Sequence, residues 1–275
     1  MLIRVSHLTT YRYDAPASSV IQILRLTPRN HEGQSVMNWR IDVSADCRLE
    51  QHEDAFGNIT HAFTADGPFG ELDVLAEGEV ETRDTQGIVR GAVERFPPSL
   101  FLRETMLTQP DEAITAFATE ARAKTGDDVL KVLHLMLARL HDDLEYDTDR
   151  TYVTTTAAEA FAIKRGVCQD LTQIFIAAAR SLNIPVRYVG GYFRRDDAAS
   201  AQEAGHAWAE AFVLGLGWLA FDVANGICAT DAHVRVAVGL DFLGAAPVRG
   251  MRWGGAGETL TVKVQVDQAM RQVQS

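Results

Sequence analysis

Apolar residues recur at every second position through most of residues 1–90, a pattern typical of strands that bury one face. SVIQILRL, NWRIDVSAD and ELDVLAEGEVETR show this alternation, and prolines and glycines separate the segments. DAFGN, residues 54–58, indicates a hairpin turn. We therefore expect an antiparallel β-rich domain of sandwich or Greek-key type over residues 1–95.

The apolar period changes to that of helices after RFPPSLF, residues 95–101, where two prolines mark a connection. A first helix is expected to start near Thr108 and to end before Gly126. In a later helix Thr156 and Glu159 have the spacing of a capping box, and Gly166 is expected to close it. The predicted buried face of the first helix is formed by Ile114, Phe117, Ala118 and Ala121. A second helix lies between these two, and its predicted buried face is formed by Val129, Leu133, Met136, Leu137, Leu140 and Leu144.

A further helix is predicted from about Cys168 to the residue before NIP, with an apolar stripe that starts at Leu171. Three strand candidates follow, VRYVGGYF, HAWAEAFV and WLAFDV, and ETLTVKVQV alternates near the C-terminus. Helices followed by antiparallel strands predict an α+β fold class for the second half. We expect domain boundaries at 1–95, 96–240 and 241–275, with a final strand that packs back on the body.

Composition limits the partners of the chain. The 275 residues are 47% hydrophobic and 23% charged, with a formal net charge of −11, so no basic excess favours nucleic acid. No apolar run approaches the length that crosses a bilayer, and we expect a cytoplasmic protein without a membrane partner. Cys47, Cys168 and Cys228 are far apart and contain no C-x-x-C pair, which favours a reducing compartment over disulfides or zinc.

Cys168 stands at the predicted start of its helix, where unpaired N–H groups and the helix dipole favour a negative charge. A thiolate at this position is a usable nucleophile when a base and an orienting group lie within reach. The alternative is a buried structural cysteine, because free cysteine is among the most buried residue types.

The spacing of His206 and Asp222 tests whether such a base and carboxylate meet. If residues 214–216 form a three-residue hairpin loop, Val213 pairs with Gly217 and Asp222 stands opposite Trp208. His206 and Asp222 are then diagonal neighbours on one face, roughly 7 to 8 Å apart at their Cβ atoms. A loop of two or four residues would place them on opposite faces unless a bulge intervened.

These motifs resemble a known family. RGVCQDL, NIPVRYVGGYF, GHAW and GLGWLAFDVANG are similar to the transglutaminase-like core, a papain-like cysteine-enzyme fold. HLTTYRYDAPASSVIQILRLTPR, DAFGN and VAVGLDFLGAAPVRGMRWGG resemble the bacterial branch, which carries a β-rich region before the core. The resemblance covers almost the whole chain.

The resemblance implies acyl transfer through a thioester, with Cys168 as nucleophile, His206 as general base and acid, and Asp222 as orienting group. We expect a peptide or protein amide substrate, no cofactor and no metal. Hydrolysis is favoured over amine transfer as the activity. A homo-oligomer is compatible with the sequence. Leu171, Gln173 and Gly205 depart from residues frequent in relatives. The substrate-side or oxyanion candidates are Gln169, Asp170, Gln173 and Trp208, besides the backbone N–H of Cys168.

Two other functions are alternatives to this one. His134, His141 and Asp142 share a predicted helix, but seven residues separate the histidines and no H-E-x-x-H occurs, which disfavours a metal hydrolase. A noncatalytic binding module of the same fold remains an alternative. The polar segment RRDDAASAQEAG, residues 194–205, is interpreted as a solvated loop or a rim over the site.

Overall fold

The computed structural model describes residues 1–149, 151–195, 201–202 and 204–269. For residues 201–202 only the backbone is described. Half of the polar segment before His206, namely residues 196–200 and 203, therefore lies outside the described residues. The helices are a 3₁₀ helix at Pro98–Leu102, α1 Glu112–Thr125, α2 Val129–Asp143, α3 Ala157–Ile163, α4 Cys168–Ser181 and α5 Phe242–Ala245. The strands are β1 Leu2–Thr27, β2 Gln34–Val43, β3 Glu50–Glu53, β4 Ile59–Thr82, β5 Ile88–Val89, β6 Glu145–Tyr146, β7 Arg165–Gly166, β8 Val186–Phe193, β9 Ala201–Gln202, β10 His206–Val213, β11 Gly217–Asp222, β12 Ile227–Cys228, β13 His233–Gly239, β14 Val248–Gly254 and β15 Thr259–Gln268.

The N-terminal strands form an antiparallel sheet in the order β2-β4-β1-β15-β9, with β3 on β4 and β14 on β1. The predicted turn at residues 54–58 joins β3 to β4, where the N–H of Asp54 donates to the carbonyl of Asn58 at 3.1 Å. The two last strands also pair with β1, β15 along its first half and β14 along its second. The C-terminal part of the chain thus completes the N-terminal sheet.

The helical faces match the sequence pattern, with two corrections at helix ends. Residue Asp111, not Thr108, caps α1, because its carboxylate accepts from the N–H of Ile114 at 2.8 Å. Helix α3 has the predicted capping box but ends at Lys164 in the left-handed conformation, two residues before Gly166. The buried residues of α1 are the predicted Ile114, Phe117, Ala118 and Ala121.

The second half folds into a six-stranded antiparallel sheet in the order β12-β11-β10-β8-β13, with β5 beside β11. Helix α4 packs on this sheet, and the ring of Phe175 stacks on Phe221 of β11 at 5.4 Å. The predicted α+β class is confirmed, with a β-rich N-terminal region and helices on an antiparallel sheet. No helix within the described ranges is both long and apolar enough to cross a bilayer.

Side-chain amides of the N-terminal region hold β13 in place. Gln34 exchanges two hydrogen bonds with the backbone of Arg235, at 2.8 and 2.7 Å. Asn58 does the same with the backbone of Val238, at 2.8 Å each. Because each amide satisfies both an N–H and a C=O of one residue, the two pairs fix where β13 lies against the N-terminal sheet.

Candidate active site

Cys168 is the first residue of α4 and is 8% exposed. It therefore begins the helix as predicted, but it is also part of the main hydrophobic core, whereas the apolar stripe predicted from the sequence starts only at Leu171. The N–H groups of a first helical turn have no acceptor within the helix. The sulfur thus lies where backbone donors and the dipole of a 14-residue helix favour a thiolate.

Asp170 organises the start of this helix from a position that is 1% exposed. Its Oδ2 accepts from the N–H of Val167 at 2.9 Å and from the hydroxyl of Thr151 at 2.7 Å. Burial raises the pKa of Asp170, and these two hydrogen bonds oppose that effect. Asp170 thereby fastens both the residue before Cys168 and the preceding loop.

The hairpin between β10 and β11 has the predicted register. Val213 pairs with Gly217 and Ala209 with Phe221, so continuation of the ladder sets Asp222 opposite Trp208. Gly215 and Gly217 have φ of 86° and 91°, values that favour glycine and allow the three-residue loop.

His206 and Asp222 meet across this hairpin. Nε2 of His206 lies 2.7 Å from Oδ2 of Asp222, whose side chain is fully buried. Nδ1 is the ring nitrogen that Asp222 does not use, and Cys168 lies near enough to help raise the pKa of His206. His206 therefore interacts with both Cys168 and Asp222, as a base between a nucleophile and an orienting group must.

Charges among these three residues favour an imidazolium. Burial alone would lower the pKa of His206, but the charge and hydrogen bond of Asp222, together with Cys168, raise it to about 10. Burial opposes the charge of Asp222 as well, yet His206 and the hydrogen bond from His233 hold the pKa of that carboxyl well below its usual range. The arrangement therefore favours a charged His206 at neutral pH.

Two further side chains, which the sequence did not single out, bind the same carboxylate. Nε2 of His233 lies 2.9 Å from Oδ2 of Asp222, and Nδ2 of Asn225 donates to that oxygen at 2.7 Å. The N–H of Asn225 donates to Oδ1 at 3.2 Å. ANG, residues 224–226, is typical of a turn and does not itself indicate the contact of Asn225 with Asp222. The alternation of HVRVAV indicates a strand from His233 onward, which is the only sequence signal for that residue.

Glycine on β8 makes room for these rings. Gly191 pairs with His206 on one side and with Arg235 on the other. A Cβ at Gly191 would stand 2.7 Å from Cη2 of Trp208 and 2.1 Å from the carbonyl oxygen of Val234. The absence of a side chain thus lets the Trp208 ring lie over β8 and reach His233, 5.3 Å away between ring centroids.

The remaining candidates surround Cys168 in different ways. The amide of Gln169 donates to the carbonyl of Val153 at 3.5 Å, and that of Gln173 donates to the carbonyl of Thr155 at 3.4 Å. Both hold the loop before α3 against α4. Trp208 is 1% exposed, and its indole N–H has no partner among the described residues.

Tyr146 is a neighbour of the site that sequence reasoning missed. The short parallel pair β6–β7 sets Tyr146 beside Gly166, two residues before Cys168. Loss of solvent around the phenol and the negative charge of Cys168 raise the pKa of Tyr146 to about 12. Its side chain is half exposed.

The cluster of His206, Asp222 and His233 also has the composition of a metal site, since one ligand atom from each lies within 4.8 Å of the others. Nδ1 of His233 accepts from the N–H of Thr230 at 3.0 Å, so in the neutral ring Nε2 carries the hydrogen. A metal would need the lone pair of that same Nε2. The donor set is therefore better suited to hydrogen bonds on Asp222 than to an ion.

Two family models match parts of this chain. Residues 3–81 match the model of the bacterial transglutaminase-like N-terminal region, and residues 115–223 match that of the transglutaminase-like superfamily. An uncharacterized protein of Mycobacterium leprae is 29% identical over 277 residues, which cover 96% of this chain and 97% of that one. One of Mycobacterium tuberculosis is 27% identical over 288 residues, covering 96% and 91%.

A solved structure shares the fold. It belongs to a candidate cysteine protease from Cytophaga hutchinsonii, with a TM-score of 0.78 and 20% identity, and the match covers 100% of this chain and 92% of that chain. The second half, with α4 against its antiparallel sheet, is thus a papain-like core. Residues 115–223 thus belong to the transglutaminase-like superfamily, and residues 3–81 ahead of them match the bacterial transglutaminase-like N-terminal region.

Proposed function

We propose that the protein is a cysteine enzyme that hydrolyses a peptide or carboxamide bond through a thioester on Cys168. The observation that carries this proposal is the line of Cys168, His206 and Asp222, in which a helix N-terminus and a buried ion pair meet at one sulfur. Membership of the transglutaminase-like superfamily supports it.

In the first half of the reaction, the Cys168 thiolate attacks the carbonyl carbon and forms a C–S bond, which leaves the negative charge on the carbonyl oxygen. The N–H of Cys168 is a donor for that oxyanion, because the first helical turn leaves it without an internal acceptor. As the intermediate collapses, His206 gives its Nδ1 proton to the departing nitrogen and the C–N bond breaks. The products are a free amine and a thioester.

In the second half, neutral His206 takes a proton from water while the water oxygen attacks the thioester carbonyl. The C–S bond then breaks, the carboxylic acid leaves, and the thiolate–imidazolium pair is restored. Asp222 remains ionised throughout and keeps Nε2 of His206 protonated. A primary amine in place of water would complete amine transfer through the same thioester. We favour water because it needs no dedicated binding pocket.

A library of peptide amides and glutamine-containing peptides tests this function, incubated with and without a primary amine and read by mass spectrometry. The proposal predicts free acids as products and an acid-stable acyl adduct on Cys168, both absent from Cys168→Ala. Amine adducts in excess over free acids would instead identify an amine transferase. Peptide binding without any turnover or adduct would identify a binding module.

A further inference from the structure

Asp222 receives more hydrogen bonds than a single histidine partner requires. Its Oδ2 accepts from His206, His233 and Asn225, at 2.7, 2.9 and 2.7 Å. Asn225 lies three residues along the chain and follows from the local turn. His233 comes from β13, and two strands, β10 and β8, separate β13 from the β11 strand of Asp222.

The surroundings of His233 define its chemical form. Its side chain is 3% exposed and packs against the rings of Phe193, at 4.6 Å, and Trp208, at 5.3 Å. The N–H of Thr230 donates to Nδ1, which leaves Nε2 as the hydrogen-bearing nitrogen. Burial lowers the pKa of His233, although Asp222 opposes this effect, so the ring is neutral at neutral pH.

We propose that His233 is a positioning residue for the catalytic line: its Nε2–H holds Oδ2 of Asp222 where that oxygen receives the Nε2–H of His206. This inference rests on the proposed function. A neutral donor is suited to the task, because a second cation beside Asp222 would repel the His206 imidazolium.

The anchoring of β13 makes this position well defined. Two residues after His233, the backbone of Arg235 exchanges both of its hydrogen bonds with the amide of Gln34. The N-terminal region therefore contributes to the site through β13, although it supplies none of the three reacting side chains.

The titration of His206 depends on the groups around it. Cys168 of α4, Asp222 of β11 and His233 of β13 each lie beside its ring. Tyr146 on β6 interacts with both Cys168 and Asp222. Alkylation of Cys168 by iodoacetate, an anion, reports this titration. The rate falls at high pH as the His206 imidazolium, which attracts the anion, loses its proton.

The experiment compares wild type with His233→Phe, which keeps the ring volume without a donor, and His233→Gln, which keeps a donor near Nε2. For His233→Phe we expect about 10-fold slower alkylation at the optimum pH, because Asp222 is no longer held against His206. The fall of the rate at high pH, which is the upper limb of the profile, should occur about one pH unit lower. His233→Gln should stay within about threefold of wild type. His61→Phe and His61→Gln, on the N-terminal strand β4, are matched controls and should change neither quantity.

Equal profiles for His233→Phe and wild type would overturn the inference, as would a Gln variant as impaired as the Phe variant. So would an upward shift of the upper limb, which would mean that His233 merely weakens Asp222 as a partner. If His233→Phe does not fold, ¹⁵N NMR of the wild type decides: we expect neutral His233 with its hydrogen on Nε2, and a hydrogen on Nδ1 overturns the inference. A wild type without any upper limb would instead contradict the proposed function.

Discussion

Nε2 of His206 lies 2.7 Å from Oδ2 of Asp222, and the two residues are brought together by a hairpin loop of three residues. The loop length sets which face each side chain occupies, because side chains alternate along a strand. Residues 16 positions apart in sequence thereby form an ion pair beside Cys168.

Asp222→Asn should remove the ion pair while conserving shape. Without the carboxylate, the pKa of His206 should fall from about 10 toward its ordinary value, and turnover should fall by about 100-fold or more. NMR titration of His206 and steady-state rates measure the two effects. Asp111→Asn, which alters the cap of α1 in the same chemical way, is the control. An unchanged His206 titration in Asp222→Asn would contradict the assigned pairing.

Stability should depend on pH through His206. Its pKa is raised from 6.5 to about 10 in the folded protein, so its contribution to the free energy of unfolding is complete below pH 6.5 and is lost as pH rises toward 10. Urea unfolding of wild type and His206→Gln should therefore differ most at pH 6 and progressively less up to pH 10. A difference that stays constant over that interval would show that His206 gains no proton affinity on folding.

Gly191→Ala tests the close approach of three strands at the site. The added methyl group would meet the carbonyl oxygen of Val234 and the Trp208 ring, so we expect a loss of about 1–3 kcal/mol of stability and slower alkylation of Cys168. Gly70→Ala, where no atom lies within 4 Å of the added carbon, should leave both unchanged. Thermal unfolding and alkylation rates check this, and full alkylation in a destabilised Gly191→Ala would show that β8 does not position the site.

A buried ion cluster around Glu210 of β10, the strand that also carries His206, should affect stability and leave the reactivity of Cys168 unchanged. Glu210 is fully buried and accepts from Arg187 at 2.6 Å and Arg235 at 2.8 Å. Burial would raise the pKa of Glu210, but the two arginines lower it to about 2. Glu210→Gln leaves both cations without this counter-charge and should cost about 3–5 kcal/mol in denaturant unfolding. Alkylation of the folded variant at wild-type rate is expected, and a slower rate would extend the site to this cluster.

Sequence periodicity predicted the elements that bury one face. The helical face of α1, the strands β8 and β10 and the hairpin register all follow from local spacing, and so does the meeting of His206 with Asp222. Helix ends were less predictable, because Thr108 and Asp111 are both able to cap and only the folded chain shows which carboxylate or hydroxyl meets the N–H of Ile114.

His233 was beyond the reach of such reasoning. It meets Asp222 although two strands lie between β11 and β13, and the contact depends on the missing side chain at Gly191 and on the packing of Trp208. These are tertiary relationships without a fixed sequence spacing. The burial of Cys168 was missed for a similar reason, since the core extends past the apolar stripe of α4 to the first residue of the helix.

Reactivity of the three thiols with iodoacetamide at pH 7 tests the central claim most directly. Burial raises the pKa of Cys228, and burial with the nearby Asp46 charge raises that of Cys47, whereas Cys168 pairs with His206 at a helix start. Peptide mapping should show Cys168 modified at least about 10-fold faster than the other two, and His206→Ala should slow it. Equal rates for all three thiols in the folded protein would contradict an activated thiolate at Cys168.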